Sequence, residues 1–199
     1  MNKIQSRFAL LFLLFLVGCS TTETSDVPKE EKQVTPDKAL QESIVEETMN
    51  KASEFLLFSL DRQAEIDKGL AKDSTIAYLW QQKAMPLFKH RKYELAMRYI
   101  DKAVKYDRER YQDYRAFMKC IFAKTYREAI SDFEDCKRRR GNEYVMDHSY
   151  DFYIALGKIQ LHEFTEAEAL LEKEIAHQLI ERGEANVHHL DLFYLGIAK

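Results

Sequence analysis

The sequence predicts an all-α protein: an α-solenoid of antiparallel helix pairs, carried behind an N-terminal apolar segment and a polar linker. Three observations predict it. Ile66-Asp67-Lys68-Gly69-Leu70-Ala71-Lys72-Asp73 returns 34 residues later as Ile100-Asp101-Lys102-Ala103-Val104-Lys105-Tyr106-Asp107, and Leu87-Phe88 returns as Ile121-Phe122 at the same spacing. A 34-residue period built from helix formers is the signature of stacked helix–turn–helix units. The 199 residues include only six Gly and three Pro, a composition that favours helix over sheet. Finally, the apolar residues fall on single faces at helical spacing, as Tyr93, Ala96, Met97, Ile100, Ala103 and Val104 do.

The N-terminus reads as an address. Lys3 and Arg7 form a positive region, Phe8 to Val17 is an unbroken apolar run, and Leu16-Val17-Gly18-Cys19 follows. The run is shorter than the roughly 20 residues a bilayer span needs, so residues 1–18 are expected to be a signal peptide. Leu16-Val17-Gly18-Cys19 resembles the lipobox of bacterial lipoproteins. That resemblance implies cleavage before Cys19 and lipidation of its thiol and new amino group. Two or more acyl chains, at about 0.8 kcal/mol per buried methylene, hold a protein stably at a bilayer. Ser20, where Asp tends to mean inner-membrane retention, implies the outer membrane. Residues 19–38 make up the lipidated cysteine and a linker of Thr, Ser, Glu, Lys and Pro. Such a segment cannot bury a core and is expected to be disordered, with a reach of about 20–25 Å.

Residues 39–199 form the helical domain. Leu40, Ile44, Val45, Met49, Ala52, Phe55, Leu56 and Leu60 give a helical period over 39–60, as one helix or two. The run Phe55-Leu56-Leu57-Phe58 is apolar all round and is expected to be covered by neighbouring elements. Ile66, Gly69 and Leu70 mark the next helix, ending near Lys72-Asp73, with Ser74 or Thr75 capping the one after. The clearest pair is Ala77–Lys89 with Tyr93–Tyr106. Pro86 removes one backbone bond inside the first of these and should bend it. The second pair spans Tyr111–Arg140: Tyr114, Met118 and Ile121 match Trp80, Ala84 and Leu87, while Tyr126, Ala129, Ile130, Phe133 and Cys136 match the helix B set one residue early. Gly141-Asn142 ends it. Lys137 to Arg140 is expected to be a solvated cluster complementing the helix dipole. A third pair sets Tyr153, Leu156 and Gly157 against Phe164, Ala167, Leu171 and Ile175, with the spacing to Ala167 two short. Its last helix should run to about Arg182 and stop at Gly183. Leu192-x-x-Leu195-Gly196 then opens a final helix, either a cap on the stack or the first half of another repeat.

Trp80, Ala84, Leu87, Tyr93, Ala96, Ile100 and Ala103 together resemble the tetratricopeptide repeat, with Lys83 where Leu is usual and Arg108 where Pro is usual. The resemblance covers about 62–199, with repeats near 77–109, 110–143 and 147–182. It implies a superhelix whose first helices line a concave groove. Carried over residue by residue, the groove positions are Tyr78, Gln81, Met85, Phe88 and Lys89, then Gln112, Arg115, Lys119 and Phe122. Phe88 and Phe122 would form a ladder of rings beside Arg115 and Lys119, suited to an extended peptide with apolar and acidic side chains. In the competing reading these rings pack between repeats.

No phosphate-binding Gly loop, His-Glu-x-x-His or nucleophile elbow is present, so no catalytic residue, metal ligand or cofactor is expected. Glu174-x-x-His177 has the spacing of half a di-iron site but lacks the second half. His188-His189 reads as a solvated helix start. Cys120 and Cys136 read as buried free thiols, with a disulfide as the alternative. The formal net charge of −3 speaks against nucleic acid as a partner. The expectation is a lipid-anchored scaffold that binds a protein partner at the bacterial envelope, possessing no enzymatic activity. The alternative is a lipoprotein that takes a glycan or small ligand in the groove.

Overall fold

The computed structural model describes residues 37–199. The expectations for the signal segment, Cys19 and residues 20–36 lie outside them. The described chain is mostly helical: α1 (Lys38–Ser53), α2 (Leu60–Lys72), α3 (Ala77–Lys89), α4 (Tyr93–Tyr106), α5 (Arg108–Met118), a π-helical turn (Lys119–Ala123), α6 (Tyr126–Arg140), α7 (Tyr150–Gln160), α8 (Phe164–Arg182), a 3₁₀ turn (Glu184–Asn186) and α9 (His189–Ala198). Each helix packs chiefly on the next in sequence. Three apolar clusters follow one another along the chain, around Ile66 and Leu79, around Ala84 and Ile100, and around Phe133 and Leu171.

Residues 39–60 resolve into one helix and the start of another. Asp37 caps α1, accepting from the amides of Ala39 and Leu40 at 3.1 and 3.3 Å. α1 ends at Ser53, and the Arg62 guanidinium donates to the freed Ala52 carbonyl at 2.8 Å. Phe55-Leu56-Leu57-Phe58 therefore lies in a connection rather than on a helix face. The expectation that it is covered is wrong: all four residues are exposed, and Phe58 stacks on His90 with centroids 4.3 Å apart.

α3 and α4 have the expected bounds. The predicted Ser74 or Thr75 cap does not form. Ile76 occupies the N-cap position, and the Asp73 carboxylate instead takes the Thr75 amide and hydroxyl at 2.7 and 2.6 Å. Lys83, at a position where the repeat pattern has leucine, is buried with its ammonium on Asp67 of α2 and 5.1 Å from the Tyr99 ring centroid.

The helices of the three following pairs each carry a fully buried alanine: Ala84 with Ala96, Ala116 with Ala129, and Ala155 with Ala167. The spacing is twelve residues in the first and third pairs and thirteen in the second. A left-handed residue joins the two helices each time: Arg91 at φ 59, Lys124 at φ 58 and His162 at φ 62. The extra residue of the second pair is absorbed by the π-helical turn, the usual form of a one-residue insertion in a helix. This corrects two registers. The residue equivalent to Ala84 is Ala116 rather than Met118, and in the third pair it is Ala155 rather than Gly157. Gly157 has another role: a Cβ there would lie 3.1 Å from the Ile130 side chain. One turn further into the core, Ile66, Ile100, Phe133 and Leu171 form a line of wholly buried side chains on α2, α4, α6 and α8.

Lys137 to Arg140 is a solvated cluster only at Arg138, whose exposed side chain pairs with Asp135 of its own helix at 3.1 Å; the other three reach neighbouring helices. Lys137 pairs with the buried Asp151 of α7, Arg139 with Glu109 of α5, and Arg140 with Asp113 of α5 at 2.9 Å. A short antiparallel hairpin, β1 (Tyr144–Val145) and β2 (His148–Ser149), turned by left-handed Met146, has no counterpart among the expected elements. Gly141 and Gly183, both at positive φ, end α6 and α8 as expected. Cys120 and Cys136 are free and buried. α9 exposes Leu192, Phe193 and Ile197, so its outer face is not the polar one of a cap. Among the described residues no helix is long and apolar enough to cross a membrane.

Candidate functional site

The surface concavity runs along the alternate helices α1, α3 and α5. Its larger part encloses about 630 Å³ and is lined by Gln41, Val45 and Glu46 of α1, by Tyr78 at the start of α3, by Tyr106 and Asp107 at the end of α4, and by Arg110 and Tyr111 of α5. A second part of about 390 Å³ shares Tyr78, Arg110 and Tyr111 and continues over Gln81, Gln82, Asp113 and Tyr114 to Val145 of the hairpin. The two adjoin at that shared wall.

Each lining side chain is placed by ordinary helix geometry. Tyr78 and Gln81 are three apart on α3 and lie on one face; Arg110, Asp113 and Tyr114 do the same on α5. The Arg110 guanidinium sits 5.5 Å from the Tyr111 ring centroid and is exposed. The Tyr111 ring is buried and its hydroxyl has no hydrogen-bond partner. Burial holds that phenol above its ordinary pKa. Asp113 is fixed from behind: it accepts from Arg140 at 2.9 Å and from the Tyr150 hydroxyl at 2.8 Å. The Tyr114 hydroxyl meets the Met85 sulfur, which closes the groove floor between α3 and α5.

Of the predicted groove residues, the structure brings Tyr78 and Gln81 together in this concavity, with Met85 beside them through Tyr114. Lys89 is exposed at the end of α3. Phe88 is not a groove residue: it is 2 % exposed. Its ring packs 6.1 Å from that of Phe122, which also meets Phe117 and Tyr93 at 6.0 and 6.5 Å. The expected ladder of rings is thus interior packing.

Gln112, Arg115 and Lys119 are also displaced, and for one reason. The two-residue register error on α5 rotates each predicted position by about 200°, from the groove to the face that meets α6. There Asp132 gathers all three. Arg115 donates through Nε and one terminal nitrogen at 2.8 and 2.6 Å, Lys119 donates at 2.8 Å, and Gln112 at 3.3 Å. Arg115 reaches Asp101 of α4 as well, at 2.9 Å. These charges tie α4, α5 and α6 together. Arg110 and Asp113 stand where the sequence placed Gln112 and Arg115. Counting from Ala116, with a plain alanine as the crossing residue, would have found them.

The second polar feature lies at the other end of the described chain. Glu174, Gln178 and Asp191 are all buried, and Gln178 bridges the two carboxylates at 3.1 and 3.0 Å. Glu174 also accepts from Asn142 and Tyr144 at 3.2 Å each. His177 is exposed, so Glu174 and His177 do not share a site. His188 is no solvated end: its ring lies 4.3 Å from that of buried His148. No protein-family model, curated protein or solved structure matches this chain.

Proposed function

We propose that the chain is a tetratricopeptide-like α-solenoid, lipid-anchored through Cys19 at the bacterial outer membrane, that binds a segment of a protein partner along the groove of α1, α3 and α5. The observation that carries this reading is the pair of adjoining concavities on alternate helices that share Tyr78, Arg110 and Tyr111. Alternate helices line one face when helix pairs stack in a single direction, which is how solenoids create an extended binding surface. The recurring alanine crossings and left-handed turns support the same architecture. Tyrosines and arginine are the side chains that most often dominate binding energy at such surfaces. Exposed Arg110, beside the Tyr111 ring, favours a partner segment with apolar side chains and a carboxylate.

Affinity capture from cross-linked envelope extract tests the proposal, with the intact protein as bait and a Tyr78→Ala/Arg110→Glu variant as the comparison. A protein recovered by the wild type and lost by the variant is the expected result. Equal recovery by both overturns the groove assignment. Recovery of no protein, with a glycan or small ligand raising the melting temperature of the wild type alone, favours the small-ligand reading.

A further inference from the structure

One nitrogen each of His148 and His188 and a carboxylate oxygen of Asp191 lie within 4.8 Å of one another. His148 comes from β2, His188 is the N-cap of α9, and Asp191 lies in the first turn of that helix. His148 and Asp191 are 5 % and 1 % exposed. Each keeps a buried polar atom with no hydrogen-bond partner, Nε2 of His148 and Oδ1 of Asp191. An orphaned buried polar atom costs about 1–3 kcal/mol, and two in one cluster call for an explanation. A helix N-terminus by itself would account for the carboxylate but not for the imidazole beside it.

We infer that His148, His188 and Asp191 form a site for one divalent transition-metal ion of the zinc class. Two imidazoles and one carboxylate are a ligand set that zinc takes up, at about 2.0–2.2 Å from each donor. Donors at that distance from a tetrahedral ion stand about 3.3 Å apart, so the three atoms must close by at most about 1.5 Å. His188 is the half-buried member and has room to make that movement. Its Nδ1 lone pair accepts from the Leu190 amide at 3.2 Å, and the ion replaces that one long bond.

Asp191 is held as metal ligands are held elsewhere, by a hydrogen bond to its far side, and the two histidines are positioned by other contacts. Gln178 donates to Asp191 Oδ2 at 3.0 Å and leaves Oδ1 free. Its carbonyl oxygen accepts from the His188 amide at 2.8 Å, which fixes where that residue leaves the chain. The His148 ring is clamped face to face on Phe152, with centroids 3.7 Å apart. This end of the chain differs from the other pairs in the same way: where α2, α4 and α6 place Gly69, Ala103 and Cys136 one turn beyond the central core residue, α8 places Glu174. The bound ion would fasten the hairpin to α9.

Tag-free full-length protein, stripped with chelator and titrated with Zn²⁺ against a chromogenic competitor, tests the site. The expected result is one Zn²⁺ per chain, with a raised melting temperature and visible absorption bands when Co²⁺ is substituted. His188→Ala and Asp191→Asn should lose all three signals, and Gln178→Ala should weaken Zn²⁺ binding by about 10–100-fold. His189→Ala, an exposed neighbour, should keep them. His188 is half-buried, so its variant is expected to fold, with circular dichroism as the check. Zn²⁺ bound equally by wild type and His188→Ala, no binding by the folded wild type, or loss on His189→Ala but not on His188→Ala would each overturn the inference.

Discussion

Asp132 is the residue on which the middle of the molecule depends. It is nearly buried and compensates two cations, Arg115 and Lys119, whose side chains are themselves 18 % and 14 % exposed. Truncating it leaves Lys119 uncompensated in a poorly solvated interface between α5 and α6, and leaves Arg115 with only the exposed Asp101. Breaking a buried pair from one side costs about 3–5 kcal/mol. Asp132→Ala should therefore lower the unfolding free energy by that order, read as a lower urea midpoint at an unchanged slope of the transition. A loss below about 1 kcal/mol, the value of a surface pair, would show that water reaches the cluster. Nothing in the sequence reveals that Gln112, Arg115 and Lys119 converge on one carboxylate of the next helix. Charged residues on a helix are usually solvated, and only the partner helix reveals which of them are not. Phe88 is illegible for a related reason. α3 is buried along Leu79, Lys83, Ala84, Pro86 and Phe88, on more than one side, so a ring at a groove position by spacing still ends inside.

The legible elements are those with both a strong period and a clear end. α3 and α4 have their predicted bounds, and Gly141 and Gly183 stop α6 and α8 where expected. The hairpin escapes a reading of the sequence because its two-residue turn, Met146-Asp147, lacks the Asn-Gly or Asp-Gly pair that signals such turns. Phe55 to Phe58 misleads because hydrophobicity alone predicts burial, whereas a capped helix end on each side leaves the segment outside both faces. The π-helical turn looks in the sequence like a change of register between the two helices. It is a one-residue insertion, and deletion tests this directly. Removing Ile121, an exposed residue of that turn, should restore twelve-residue spacing between Ala116 and Ala129 and leave the helical content and melting temperature near those of the wild type. Removing Leu87 from α3, where the spacing is already twelve, should unfold the pair. Equal loss in both deletions, by circular dichroism melts, would mean that the π turn is not an insertion.

At the scale of the whole molecule the proposed anchor makes the simplest prediction. Cys19→Ala, expressed in a bacterial host, should move the protein from the membrane fraction to the soluble fraction. A variant still sedimenting with membranes would remove the lipid anchor from the reading. The described helices would not replace it, since none of them is long and apolar enough to span a bilayer. The all-helical class is legible at this scale because it depends on a period and a composition, both of which survive local errors of register. The groove is legible only as a general location: two of its residues, Tyr78 and Gln81, follow from the spacing, and the α5 side does not, because a shift of two residues turns a helix face around.

Packing each helix mainly on the next also governs how the chain acquires its structure. Loop closure before a contact forms is short in every pair, and short closures are fast. Assembly can then start at any well-formed pair and spread to its neighbours, with the α3–α4 pair and its close alanine crossing as a natural starting point. The outermost of the described helices, α1 and α9, each with described neighbours on one side only, open first. Amide exchange should accordingly be slowest in α4 to α7 and quicken towards α1 and α9, and the His148–His188–Asp191 cluster sits where a bound ion would slow the faster end.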